Sequence, residues 1–198
     1  ASDTNFKITG AFTLTAPNGA EQWKVGQNRN VTWTRTGSIA DAKLEFSTNG
    51  GSTYPNTIIA STPAGALSYT WTVPDNLTAQ ARVRVSDASD ATVFDISNAN
   101  FEIQAALTVM TPNGGEVWTV NSSQDITWDS VGSAANVRLE YSTDSGATYP
   151  HLIAASTANT ETFSWTVPDA ISASVRVRVA DVNNANAFDI SNANFKIR

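Results

Sequence analysis

The chain has no cysteine, a single methionine and a single histidine in 198 residues. Without cysteine there is no disulfide framework, no thiolate metal site and no cysteine nucleophile. Charge is scarce at 15% of residues and its balance is −6, with no Lys/Arg cluster, so nucleic acid has no electrostatic footprint to follow. No apolar run approaches the roughly 20 residues of a membrane span, so membrane insertion is not expected. A sustained helical stripe, a glycine loop of phosphate-cradling type and a nucleophile elbow around serine are all missing as well. Thr, Ser, Asn and Ala stand where charge would otherwise be. That uncharged polar surface, with no cysteine, is common in secreted proteins and sets the expectation of an extracellular or cell-surface location.

What is present is repetition. FDISNANF runs from Phe94 to Phe101 and again from Phe188 to Phe195, and SDTNFKI at Ser2 matches SNANFKI at Ser191. Aligned at an offset of about 95 residues, roughly half the positions of the two halves are identical. Trp23 pairs with Trp118, Trp33 with Trp128, Glu45 with Glu140 and Tyr54 with Tyr149; after a one-residue deletion within Ser156–Thr160, Trp71 pairs with Trp165 and Asp87 with Asp181. A unit of this size exceeds a solenoid repeat and should fold as a domain. The expected division is 1–9 as the tail of a preceding repeat or a free strand, 10–104 as the first domain and 105–198 as the second. In the tail, Phe6 and Ile8 align with Phe101 and Ile103, which makes them candidates for strand addition to another molecule. A short linker at about 104–106, with no Gly or Pro, should hold the domains end to end with limited freedom.

Within each unit the apolar period is two. Val31 and Trp33 alternate with Thr32 and Thr34, Leu44 and Phe46 flank Glu45, and Val83 and Val85 alternate with Arg82 and Arg84. Thr, Arg and Glu on the other parity read as a solvated face, as in antiparallel sheets wet on one side. PNG, NGG, DSG and VPD signals separate the runs. About seven short strands per unit, with Trp33, Trp71, Trp128 and Trp165 facing inward, predict an all-β chain. It should form two tandem antiparallel β-sandwiches of immunoglobulin or fibronectin type III kind.

The segments APNGAEQWKVGQNRNVTW (16–33) and TPNGGEVWTVNSSQDITW (111–128), with the later WTVPD, RVRV and FDISNANF blocks, resemble an Ig-like repeat of large bacterial surface and secreted proteins. They are also similar to the N-terminal Ig-like region of Ser/Thr-rich, GPI-anchored fungal cell-wall proteins. The resemblance implies an accessory or spacer module. Asn121 departs from the pattern, standing where the first unit has Gly26.

Four groups of residues could carry chemistry. Asp87, Asp90 and Asp95, with Asp181 and Asp189 in the second copy, offer hard oxygen ligands suited to calcium, although their spacing fits no EF-hand. STDSGATY (142–149) resembles an Asp-box hairpin, in which Asp144 caps the turn, Gly146 takes a positive φ and Tyr149 packs beneath. Tyr54 and Tyr149 are the candidates for exposed rings that could contact a glycan. Glu45 and Glu140 are shared acids expected at the surface, and His151 aligns with Asn56, so it cannot serve both units. The expected role is therefore non-catalytic: a rod-like spacer or adhesive module meeting neighbouring copies, other cell-surface proteins or polysaccharide. The rivals are a filament subunit joined through its N-terminal strand and a carbohydrate-binding accessory module. No cofactor is expected apart from calcium.

Overall fold

A computed structural model describes residues 7–198 of the chain. Contacts divide it into two units, with the boundary between Ile103 and Gln104.

The first unit contains nine strands: β1 (Ala11–Ala16), β2 (Gln22–Lys24), β3 (Asn28–Thr36), β4 (Asp41–Ser47), β5 (Asn56–Pro63), β6 (Ser68–Thr72), β7 (Thr78–Asp87), β8 (Asp90–Ile96) and β9 (Phe101–Gln104), with a 3-10 turn at Ala64–Ala66. They form two sheets. One is three-stranded, in the order β1-β3-β6; the other runs β2-β9-β7-β4-β5, with β8 paired to the far end of β7. Thus β8 and β9 act as one broken strand along the same side of β7: Arg84 pairs with Ile96, and Ala81 with Phe101.

The second unit repeats this plan with β10 (Ala106–Thr111), β11 (Val117–Trp118), β12 (Ser123–Val131), β13 (Asn136–Ser142), β14 (His151–Ala158), β15 (Thr162–Thr166), β16 (Ser172–Asp181), β17 (Asn184–Ile190) and β18 (Phe195–Ile197). Its sheets are β10-β12-β15 and β11-β18-β16-β13-β14, with β17 on β16. Nine strands exceed the expected seven because the first strand switches sheets at Pro17 or Pro112 and the last is interrupted at the SNAN tetrapeptide. The β11–β18 pairing departs from the antiparallel expectation. β11 runs parallel to β18, Val117 opposite Lys196 and Trp118 opposite Ile197.

The inward parity of the strands builds the core. Leu14, Val31, Trp33, Trp71 and Val73 of one sheet meet Leu44, Val83, Val85, Phe101 and Ile103 of the other, all buried. Trp23 closes one end, edge-on to Trp71 at 5.8 Å and tilted on Phe101 at 5.0 Å; Trp118, Trp165 and Phe195 repeat the cluster. Each ring of this kind contributes about 1.5–3 kcal/mol by leaving water. Trp33 and Trp128 are both 1% exposed, and each indole N–H finds an acceptor by a different route. Trp33 donates to the Ala64 carbonyl of the 3-10 turn, whereas Trp128, where that turn is one residue shorter, donates to the Asn159 side chain. Asn121 leaves the backbone as Gly26 has it. Both residues take positive φ (63° and 80°), and both donate N–H to the matching valine carbonyl, of Val167 and Val73. Asparagine tolerates this left-handed region better than most residues.

Candidate functional site

The repeated octapeptide lies where the two sheets are tied together. Asp95 accepts the Leu14 N–H at 2.7 Å and Asp189 accepts that of Val109 at 2.7 Å, which joins the last strand to the first across the sheets. Ser97, fully buried, donates its hydroxyl to the Pro17 carbonyl and accepts the Val83 N–H; Ser191 makes the same pair of bonds with Pro112 and Val177. Asn100 accepts from Arg82 Nε, and Asn194 from Arg176 Nε. Opposite this knot the PNG turn folds inward. Gly19 N–H and Asn18 N–H both donate to the Glu21 carboxylate, as Gly114 and Asn113 do to Glu116. A Cβ on Gly19 would lie 2.7 Å from that of Ala99, so the alanine of SNAN requires glycine there.

The outer face of the larger sheet holds the main charged group. Glu45 and Glu140 were expected on a solvated face, but the structure buries them, at 6% and 4% exposure. Glu45 takes Lys43 on one oxygen at 2.7 Å and Arg84 on the other at 2.6 Å; Glu140 takes Arg138 at 2.6 Å and is also paired with Arg178. Burial pushes these carboxyls up, yet the hydrogen bonds and positive charge of the flanking side chains outweigh it and hold both below the usual carboxylate value. Parity alone misplaced them because one long side chain from the same strand and one from the adjacent strand fold over each acid and exclude water.

Tyr54 and Tyr149, the candidates for exposed rings, are half-buried, and each lies beside an arginine of the same group. Arg84 lies 4.8 Å from the Tyr54 ring centre and Arg178 lies 5.0 Å from that of Tyr149. Both phenol oxygens are buried, and burial raises both pKa values. Phe94 and Phe188 complete the column on the other side of each guanidinium, at 6.0 and 5.7 Å, and remain substantially exposed. In the second unit a groove of about 360 Å³ runs beside this column, lined by Arg138, Glu140, Ala155, Arg178, Asp181 and Val182.

The hairpin between β13 and β14, with its counterpart between β4 and β5, follows the expected chemistry. Asp144 Oδ1 accepts the Thr148 N–H at 3.0 Å and the Ser142 hydroxyl, and Gly146 has φ 86°. Those hydrogen bonds, led by that from Ser142, hold the Asp144 carboxyl well below its ordinary range. Asn49 makes the corresponding bonds with Ser47 and the Thr53 N–H, and Gly50 N–H donates to the Gln80 carbonyl at 2.9 Å.

The aspartates proposed for calcium are not brought together. Asp87 caps its own turn through Ser89, and Asp181 does so through the Asn183 N–H. Asp90 accepts from Thr92 and pairs with Lys7; these bonds, with Lys7 foremost, draw its pKa down to about 2. Asp95 and Asp189 are spent on the inter-sheet bonds described above. Among the described residues no three His, Cys, Asp or Glu side chains are grouped to hold a metal. His151 stacks on Tyr141 at 4.6 Å and 19°, within the aromatic edge of the second core. Phe6 lies outside the described residues, and Ile8 is 86% exposed and outside every strand.

Three strands facing six, with the fourth and fifth strands in the larger sheet and the sixth in the smaller, is the decisive pattern. Each half is an Ig/fibronectin-III-like β-sandwich. Solved structures similar to the chain include fibronectin(III)-like modules of Clostridium thermocellum CbhA, at 16% identity over 94% of both chains with a TM-score of 0.33. Titin A168169 is similar at 13% identity over 95% of this chain and 99% of that one, with a TM-score of 0.35. The N-terminal four Ig domains of Dscam1 match at 7% identity over 97% of this chain and 47% of that one, with a TM-score of 0.40. At these values the likeness carries no argument about what the Ig-like units do. No family model matches the chain, and no curated protein matches it.

Proposed function

We propose that the chain is a non-catalytic tandem module of an extracellular or cell-surface protein, serving as a spacer that presents or separates other parts. The observation that carries this reading is where the polar residues shared by both units go. Glu21, Glu45, Ser97, Asn100, Asp95 and their counterparts all close turns, join sheets or pair across a strand. What the duplication preserved is the means of holding a sandwich together without disulfides. The resemblance of the PNG-to-Trp segments to repeats of surface and cell-wall proteins supports the same reading.

A spacer must resist extension. Stretching the chain between its ends should give two separate unfolding steps, each releasing roughly 30 nm for about 90 residues at ~3.5 Å per residue. A unit that yields without measurable resistance would overturn the proposal, as would hydrolytic turnover abolished by His151→Ala. The rival reading, assembly through the N-terminal segment, has the exposure of Ile8 in its favour. Deleting residues 1–9 decides between them: a spacer keeps its sedimentation behaviour, whereas a filament subunit stops polymerising.

A further inference from the structure

The outer face of the β1-β3-β6 sheet carries no charge, and ten of its side chains are polar: Thr13 and Thr15 on β1; Asn28, Asn30, Thr32, Thr34 and Thr36 on β3; Ser68, Thr70 and Thr72 on β6. Their parity is opposite to that of Leu14, Val31, Trp33 and Trp71, which are buried, and most of the ten are exposed. The register places Thr13 opposite Thr34, Asn30 opposite Thr70 and Asn28 opposite Thr72. Side chains are fixed across the strands. Thr70 donates to Asn30 Oδ1 at 3.0 Å, Thr72 donates to Asn28 Oδ1 at 2.8 Å, and the Thr15 and Thr32 hydroxyls lie 2.7 Å apart.

Those bonds set what the face offers. In each Asn–Thr pair the amide oxygen and the hydroxyl proton are consumed, which leaves the asparagine NH2 to donate outward and the threonine oxygen to accept. A donor beside an acceptor matches a pair of adjacent hydroxyls on a sugar ring. The two pairs are two residues apart along the strand, roughly 7 Å, so the match repeats as a polymer repeats. Without a charge the face has nothing for nucleic acid, an anionic glycan or a charged protein surface. Without a large exposed apolar side chain it has no anchor of the kind that dominates protein interfaces. An open groove of about 400 Å³, lined by Thr34, Arg35, Gly37, Gly65 and Leu67, adjoins it.

The geometry points to this face of the first unit as a docking surface for neutral polysaccharide chains, read as an extended hydroxylated surface. The inference goes beyond the spacer reading and rests on the same extracellular placement. The second unit supplies the contrast. At the same register it carries Ser123, Asp125, Asp129 and Val131 in place of Asn28, Asn30, Thr34 and Thr36, and Met110 in place of Thr15. Both Asn–Thr pairs are gone there, and Met110 and Val131 are about half exposed.

Depletion of the intact chain from solution by microcrystalline cellulose tests the idea. The wild-type chain should adsorb, with a partition unchanged between low and high salt, since no ion pair is involved. The variant Asn28→Ser/Asn30→Asp/Thr34→Asp/Thr36→Val gives the first unit the face of the second, whose residues suit this backbone, and should lose about tenfold or more in partition because it buries unpaired charge. Circular dichroism and thermal melting check that the variant is folded. Failure of the wild type to adsorb, equal adsorption by a folded variant, or adsorption to ice crystals and not to cellulose would each overturn the assignment. Adsorption does not report on resistance to force, so the docking surface and the spacer reading can fail separately.

Discussion

Glu45 and Glu140 show how a single residue can be readable by type and not by place. Alternation puts them on the wet side of the sheet, where an acid needs no partner. In the structure Lys43 and Arg84, or Arg138 and Arg178, close over them and turn a surface acid into a buried ion triad. Alternation carries no information about how far a neighbour's side chain reaches, so this part of the site was hidden in the sequence. The sign of the consequence is fixed. Since the folded pKa lies below the ordinary carboxyl value of 4.5, the triad's contribution to stability is fully present above that value and is lost as pH falls through the folded pKa. Urea titrations from pH 7 to pH 3 should show stability declining below about pH 4.5, and Glu45→Gln should remove part of that decline while lowering stability at neutral pH. Ser97 makes a complementary prediction. Ser97→Ala leaves the buried Val83 N–H and Pro17 carbonyl without the hydroxyl they share, and should cost about 1–3 kcal/mol in denaturant unfolding.

At the scale of elements, the inward parity of the strands and the tryptophans on it were legible because a two-residue period maps directly onto sheet faces. The Asp144 hairpin was legible for the same kind of reason: a capping side chain, a glycine and a ring at fixed offsets determine one another. The two- and three-residue strands β2 and β11 were not, being too short to show any period and defined by their partner alone. The Asn159 cap on Trp128 was also missed; a polar residue in the shortened loop facing a buried indole was the only signal. Two glycines give a prediction at this scale. Gly51 has φ 88°, and an added Cβ would sit 3.0 Å from the Tyr54 oxygen and 3.1 Å from Arg82 Cδ, whereas Gly115 has φ 87° and nothing within 4 Å. Gly115→Ala should therefore cost only the left-handed strain of about 1–2 kcal/mol, as Ala20 already accepts at the matching position with φ 65°. Gly51→Ala should cost clearly more in the same thermal or urea unfolding assay.

For the whole molecule, duplication made the architecture plain before any coordinate was known. Two matched sets of apolar strands of domain length imply two cores. Each core is self-contained, with Trp23, Trp71 and Phe101 in one and Trp118, Trp165 and Phe195 in the other. Separating the chain between Ile103 and Gln104 should give two pieces that each melt cooperatively and keep the near-ultraviolet dichroism of packed tryptophan. A piece that loses this signal while the other keeps it would show that its core depends on its neighbour.

The glycine nitrogens tied down in the turns also govern how the protein ages. Asparagine followed by glycine ordinarily loses ammonia when the glycine nitrogen closes a ring on the preceding side-chain amide, and water then opens that ring to aspartate or its isomer. The chain has three such pairs, at Asn18, Asn49 and Asn113, and in each the attacking nitrogen is already donating: to Glu21, to the Gln80 carbonyl and to Glu116. Folded protein incubated for weeks near neutral pH should hold its mass, while the urea-unfolded chain gains one dalton per event at these positions. In the extracellular setting proposed for the chain, the same hydrogen bonds that shape the turns would set its shelf life.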